Sequence, residues 1–152
     1  MRVTELQEMK LVGLRVVCEG DQYVHEIPNA ANLLKSRLHE IKEVLNPVRL
    51  VGAFIAGDYS EAEDGYWVCV EVKDVVEIPE GMVFVMIPAQ TYAVIRHTGP
   101  NHEIRHTYET LHKWMRENGY ERKLRAWHLE ITEKWDVLDA SNVEVDLYDT
   151  IQ

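Results

Sequence analysis

The chain has 152 residues, of which 46% are hydrophobic, and this is enough for one sizeable core. Its formal net charge of -10 argues against nucleic-acid binding, because that binding draws its affinity from Lys and Arg that neutralise phosphates. We therefore expect a single domain over residues 1–152 whose partner is neutral, cationic or a basic protein surface.

The amino-terminal stretch "MRVTELQEMKLVGLRVV" mixes Glu and Lys with its apolar residues, so it lacks the apolar core of a signal peptide. No later apolar run approaches the length of a membrane span. Cys18 and Cys69 lie far apart, within apolar, strand-like runs. Cysteines in such runs are usually reduced and buried, so we expect no disulfide between them. These observations favour a cytoplasmic protein without a membrane partner.

The first half of the chain alternates between strand and helix patterns. The β-branched run "KLVGLRVV" predicts a strand, and "RLVGAFIAG" and "GYWVCVEVKDV" predict two more. Between the first and second of these, "IPNAANLLKSRLHEIKEVLNP" has apolar residues at helical spacing. Pro28 and Asn29 are predicted to open this helix, and Asn46 and Pro47 to close it.

The second half repeats this order at an offset of about 80 residues. "AQTYAVIRHTGP" predicts a strand, "NHEIRHTYETLHKWMRENGY" a helix, and "RAWHLEITEKW" and "NVEVDLYD" two further strands. The sequence thus predicts an α+β fold of two strand-helix-strand-strand repeats, at about residues 1–76 and 82–152. One antiparallel-rich sheet would carry both helices on one face and a ligand cleft on the other.

The segment "HEIRH", residues 102–106, matches the HExxH pattern of zinc peptidases. On a helical wheel, however, His102 and His106 lie opposite the apolar stripe that is predicted to face the core, and His112 points away from His102. That stripe consists of Ile104, Tyr108, Leu111, Trp114 and Met115. A zinc site needs converging ligands in a shaped cavity, which a solvated helix face does not provide. We therefore expect no metal and no cofactor, and we interpret Asn101 as the N-cap of this helix.

Two acidic residues interrupt otherwise apolar strands. Alternation places Glu71 with Trp67 on one face of its strand, and Glu130 with His128 on one face of another. A carboxylate enclosed without partners is costly, so each needs a reason to be there. One reason is an open, wet sheet face. The other is a cleft in which carboxylate and aromatic ring together receive an organic cation.

The order and spacing of these segments resemble the GyrI-like effector-binding domains, which occur alone and at the end of AraC-type and multidrug-responsive regulators. The likeness extends from "MKLVGLRV" through "YWVCVEV" and "TYETLHKW" to the "EVDLY" ending. Its most specific segment is "IPAQTYAVIRHTGP", which contains Pro88, Tyr92, His97 and Gly99. The chain departs from the family pattern at Ile131-Thr132, where a Tyr is common, and at Asp149-Thr150, where a Pro is usual.

The resemblance implies a small-molecule receptor whose ligand sits between the two repeats, against aromatic residues and a central Glu. Glu130 matches the acidic strand position of the family, and the other pocket-lining strand carries Trp67 and Glu71. The candidate ligand-binding residues are Glu130, Glu71, Trp67, Tyr92, His128 and Tyr148. Aromatic residues at such spacing more often belong to a core than to a ligand site.

The resemblance therefore predicts a standalone receptor for apolar or cationic organic molecules. Binding is favoured over catalysis because the sequence shows no complete catalytic constellation. One alternative is a hydrolase of small electrophiles, with Glu130 or Glu71 as general base and His128 beside Glu130. Another is an inhibitor that binds a basic protein such as gyrase. Direct DNA binding is not expected, because about ten residues before the first strand cannot hold a helix-turn-helix domain.

Overall fold

The computed structural model of the protein describes residues 1–57, 61, 63–135 and 141–152. Within these ranges lie eight strands and two α-helices. The strands are β1 (Arg2–Leu6), β2 (Met9–Val16), β3 (Leu50–Ile55), β4 (Tyr66–Val72), β5 (Val83–Ile87), β6 (Gln90–Gly99), β7 (Trp127–Thr132) and β8 (Val143–Thr150). The helices are α1 (Tyr23–Ser36) and α2 (Ile104–Glu117). Neither helix is long and apolar enough to cross a membrane.

The strands form one antiparallel sheet in the order β1-β6-β8-β7-β3-β4-β2-β5. The repeats β2-α1-β3-β4 and β6-α2-β7-β8 meet where β3 pairs with β7. Both helices pack on the same face of the sheet, here called the helix face. The predicted α+β fold and its duplicated order are thus confirmed.

The edge strands β1 and β5 were not predicted. β1 comes just before the first repeat but pairs with the second, and β5 comes just before the second repeat but pairs with the first. β1 runs directly into β2 but pairs with β6, whereas β5 runs directly into β6 but pairs with β2. In a flat sheet, the six strand spacings between β5 and β6 would separate them by about 29 Å. The two residues Pro88 and Ala89 can span only about 10 Å, so the sheet must curl.

Curling closes the face opposite the helices, here called the curled face, on itself. Trp67 and Trp127 meet edge to face on it, with ring centroids 5.0 Å apart, and Tyr92 and Tyr148 do so at 5.6 Å. The buried core residues of this face are Met9, Leu11, Val51, Ala53, Trp67, Cys69, Val85, Ile87, Tyr92, Val94, Leu129, Ile131 and Tyr148. The expected position of the ligand cleft, on the face opposite the helices, is therefore wrong, because packed side chains fill most of that face and leave a smaller cavity of about 410 Å³ beside Arg49, Arg96 and Tyr148.

Helix α1 buries Ala31 and Leu34 against β2 and β4. It begins at Tyr23, after a 3-10 turn, so the predicted start at Pro28 is wrong. Pro28 lies one turn inside the helix, where its missing N–H leaves a backbone carbonyl of the first turn without a helical partner. The helix ends at Ser36 rather than before Pro47, and a second 3-10 turn over residues 38–40 continues the chain.

Helix α2 buries Leu111 and Met115 against β6, as its apolar stripe predicted. It begins at Ile104, and Asn101 belongs to a preceding 3-10 turn, so the N-cap prediction is wrong. His97 fixes the approach to the helix, because its Nδ1 lies 2.6 Å from Thr107 Oγ1 and its Nε2 lies 3.0 Å from the Pro100 carbonyl.

Candidate functional site

A cavity of about 1270 Å³ lies on the helix face, between α1 and α2. Its floor comes from β3, β4 and β7, and its walls come from the two helices and the start of β8. The lining is largely apolar and aromatic near α1 and includes Tyr23, Val24, Ile27, Pro28, Ala31, Phe54 and Val68. The cavity therefore lies between the two repeats, as expected from the sequence, but on the face that carries the helices.

Glu130 lies at the floor of this cavity, on β7, and is partly buried. The Tyr66 hydroxyl donates a hydrogen bond of 2.6 Å to its Oε1, and the Tyr108 hydroxyl donates one of 2.6 Å to its Oε2. Tyr66 comes from β4 of the first repeat and Tyr108 from α2 of the second. The carboxylate thus joins the two repeats at the strand pair where they meet.

Tyr66 reaches Glu130 because Gly52 lies between them on β3. Gly52 pairs with Glu130 on one side and with Val68 on the other. A Cβ atom on Gly52 would lie 1.8 Å from the Tyr66 hydroxyl oxygen and 2.4 Å from its Cζ. Any larger residue would therefore displace the tyrosine ring, which also stacks on Phe54 at a centroid distance of 6.0 Å.

Both tyrosine hydroxyls keep their protons at neutral pH. Burial, the negative charge of Glu130 and the hydrogen bond to it raise the pKa of Tyr66 and of Tyr108 well above the usual value. Each hydroxyl therefore remains a donor to the carboxylate. Each carboxylate oxygen of Glu130 can still accept a further hydrogen bond from a guest molecule.

His128 shares a strand face with Glu130, as alternation predicted, but it does not line the cavity. It is 1% exposed, its Nε2 donates to the Lys123 carbonyl at 3.2 Å, and its Nδ1 lies 2.9 Å from Asp149 Oδ1. Its polar contacts are therefore with a second, buried carboxylate and with the backbone of Lys123 and Thr150. It contacts the cavity lining through its ring, which stacks on Phe54 at a centroid distance of 5.7 Å.

The other four candidate residues do not share a site with Glu130. Glu71 is paired with Arg49 at 3.1 Å on the curled side of the sheet, and Trp67, Tyr92 and Tyr148 belong to the core of that face. The register explains the separation, because Ala53 pairs with Trp67 whereas Gly52, its neighbour on β3, pairs with Glu130. The expectation that these four residues share a crevice with Glu130 is wrong.

Sequence reasoning missed Tyr66, Tyr108, Gly52 and Phe54 as parts of the site. Alternation separated Tyr66 from Trp67, but which of these two faces also carried Glu130 depended on the pairing of β3 with β4 and β7. Tyr108 lies on the predicted inner stripe of α2 and was interpreted as a core residue. The available signal was the isolated acid on β7, which needed donors from neighbouring elements.

The histidines near "HEIRH" do not converge on one point. His102 lines the rim of the cavity, the His106 side chain is 83% exposed and lies 3.7 Å from Glu109, and His112 contacts Asp149. In the described residues, no group of three or more His, Cys, Asp or Glu side chains could hold a metal ion.

A sheet of two strand-helix-strand-strand repeats, with a carboxylate-floored cavity between its helices, defines a class of small-molecule-binding domains. The family model described as GyrI-like small molecule binding domain matches residues 1–148, and the chain belongs to that family. A search of curated protein sequences found no match.

Similar solved structures share this fold at low sequence identity. The EcmrR C-terminal domain is 20% identical to this chain, with a TM-score of 0.72. The match includes 99% of this chain and 96% of that domain. The EcmrR chain in the structure of an EcmrR-DNA complex is also 20% identical, with a TM-score of 0.74. The match includes 99% of this chain but only 56% of that longer chain. SAV2435 bound to tetraphenylphosphonium is 13% identical, with a TM-score of 0.71 and coverage of 99% and 93%. A hydrolase from Listeria innocua is 13% identical, with a TM-score of 0.52 and coverage of 99% and 92%.

Proposed function

We propose that residues 1–152 act as an effector-binding domain that takes bulky organic cations into the cavity between α1 and α2. The observation that carries this proposal is Glu130, a carboxylate at the floor of an apolar and aromatic cavity, held by Tyr66 and Tyr108. A structural relative, SAV2435, has been solved with tetraphenylphosphonium, which is a bulky cation with an apolar surface.

A preference for cations is expected because Glu130 is a partly buried carboxylate, and removing a negative charge from water costs free energy that a cationic guest can offset. The two tyrosine hydrogen bonds orient Glu130 but leave its negative charge in place, so a cationic guest gains electrostatic energy that a neutral one does not. Aromatic rings such as Tyr23 and Phe54 add about 0.5 to 2 kcal/mol through their faces. The cavity volume of about 1270 Å³ exceeds that of most pockets for drug-sized ligands, which favours the binding of ligands of different shapes.

The test compares a cation with a neutral molecule of similar shape. Tetraphenylphosphonium and triphenylphosphine oxide are titrated into the wild type and into Glu130→Gln by calorimetry. We expect the substitution to weaken cation binding by about tenfold or more, which corresponds to about 1.4 kcal/mol, and to change the neutral ligand little. Glu71→Gln is the matched control, because it makes the same change in the Arg49 ion pair on the curled face. Equal losses in both variants, or for both ligands, would contradict charge recognition by Glu130.

Hydrolysis of small electrophiles is the second candidate, and the pairing of a carboxylate with two protonated tyrosines favours it. Water would attack the electrophilic carbon as its bond to the leaving heteroatom breaks. Glu130 would accept the water proton, and a tyrosine hydroxyl would donate one to the leaving atom. The fold relative described as a hydrolase supports testing this. Loss of substrate by mass spectrometry with the wild type and Glu71→Gln, but not with Glu130→Gln, would establish turnover.

We also propose that ligand binding is read out by a transcription regulator in the cytoplasm. The matched region of EcmrR belongs to a protein that has been solved in complex with DNA. This chain would report its ligand through a DNA-binding partner, because its charge of -10 does not suit direct DNA contact. Co-purification with such a partner, and loss of that association when tetraphenylphosphonium is added, would support this role. Ligand-independent association would contradict it.

A further inference from the structure

A second buried carboxylate lies beneath α2, outside the cavity. Asp149 on β8 is 0% exposed and makes contacts to three basic side chains. His112 Nε2 of α2 donates a hydrogen bond to its Oδ2, Arg122 Nε lies 3.1 Å from the same oxygen, and His128 Nδ1 of β7 lies 2.9 Å from Oδ1. An enclosed carboxylate without such partners would cost several kcal/mol, so its contacts fix the elements around it.

Helix α2 rests on the sheet through two different stripes. The apolar stripe of Leu111 and Met115 packs on β6, and such contacts are not directional. The polar stripe consists of Tyr108, which bonds to Glu130, and His112 one turn later, which bonds to Asp149. The rings of Tyr108 and His112 are 6.0 Å apart. A shift of α2 along its axis would stretch both polar bonds, because hydrogen bonds weaken steeply with distance and angle.

We propose that Asp149, through His112, is a positioning residue of the ligand site: it holds α2 where the Tyr108 hydroxyl reaches Glu130. Neither Asp149 nor His112 lines the cavity. Asp149 also contacts His128, which stacks on the cavity residue Phe54, so the tests change His112, which lies on α2 itself. The inference rests on the proposed function for its affinity readout, but the position of Tyr108 can be measured without a ligand.

The charged and titratable groups around this contact belong to every neighbouring element. Arg122 reaches Asp149 from the segment after α2, His128 from β7, and Tyr108 lies beside His112 on α2. His112 is the group that connects α2 itself to the carboxylate. Replacing it leaves Asp149 with Arg122 and His128, so the folded state keeps partners for the buried charge.

The first experiment is free of ligand and uses protein labelled at tyrosine ¹³Cζ, with Tyr108→Phe to assign the resonance. In His112→Phe we expect the Tyr108 signal to shift and its pKa to fall toward the ordinary value, because the hydroxyl leaves Glu130. The Tyr66 signal should be unchanged. His106→Phe makes the same substitution on an exposed face of the same helix and should move neither signal. An unmoved Tyr108 signal in His112→Phe overturns the proposal.

The second experiment is a double-mutant cycle with tetraphenylphosphonium as the probe. We expect His112→Phe and Tyr108→Phe each to weaken binding about tenfold, and the double variant to be no weaker than Tyr108→Phe alone. Independent, additive losses overturn positioning through Tyr108. If the wild type does not bind the probe, the proposed function fails for such cations, and the tyrosine signals alone decide the positioning role.

Discussion

Replacement of Gly52 by alanine tests the packing on which the site depends. The added Cβ would lie 1.8 Å from the Tyr66 hydroxyl oxygen, with ring atoms at 2.4 and 2.8 Å, so the ring must move away. The hydrogen bond from Tyr66 to Glu130 and the stack on Phe54 are then lost. We expect Gly52→Ala to destabilise the fold and also to abolish selective cation binding.

The size of the effect follows from three contributions. The hydrogen bond to the carboxylate contributes about 1.5 to 3 kcal/mol, and the aromatic stack about 0.5 to 1.5 kcal/mol. Alanine in a strand regains about 0.5 to 1 kcal/mol relative to glycine. Because Tyr66 is only partly buried and its ring can be resolvated, we expect a net loss of about 2 kcal/mol in the free energy of unfolding.

Denaturant unfolding of four proteins measures this loss: the wild type, Gly52→Ala, Tyr66→Ala and the double variant. In the Tyr66→Ala background the added methyl meets no ring, so the same substitution should cost nothing or stabilise slightly. Gly20→Ala is the matched control, because a Cβ there meets no atom within 4 Å. If Gly52→Ala costs as much without the Tyr66 ring as with it, the steric reasoning is refuted.

The remaining predictions concern two buried groups. Burial raises the pKa of Asp149, but hydrogen bonds from His112 and His128, together with electrostatic attraction by His128 and Arg122, hold it below its usual value. Its contribution to stability is therefore present above about pH 4 and lost as the pH falls further, and Asp149→Asn should cost about 3 kcal/mol at pH 7 but less at pH 3 in urea unfolding. An equal cost at both pH values would contradict this. Burial also raises the pKa of the Cys69 thiol, so a thiol reagent should modify Cys18 in the native protein and Cys69 only after unfolding. Rapid labelling of native Cys69 would contradict its enclosure.

Local patterns in the sequence were sufficient for most of the secondary structure. The apolar stripe of α2 predicted its buried Leu111 and Met115, and six strands were found from β-branched runs. The edge strands β1 and β5 were missed because neither sequence alternates between polar and apolar residues: RVTEL has two apolar residues of opposite parity, and VFVMI has no polar residue. The start of α1 was misplaced because Pro28, a common first helical residue, lies here after the first turn.

The candidate site was only partly predictable for a different reason. Glu130 could be found from the sequence, because a carboxylate within an apolar strand needs partners. Its donors, Tyr66 and Tyr108, come from β4 and α2, which lie 64 and 22 residues away along the chain. No periodicity within one element connects residues over such separations.

The sequence by itself determined which residues of each strand share a face, because side chains alternate with a period of two. It did not determine which of those faces lies under the helices. That assignment was decided by the pairing of Gly52 with Glu130 and by two short links. Only two residues join β1 to β2 and β5 to β6, although β1 pairs with β6 and β5 pairs with β2. These links curl the sheet and close one face around Trp67 and Tyr92. The space for a guest is therefore left on the other face, between the helices.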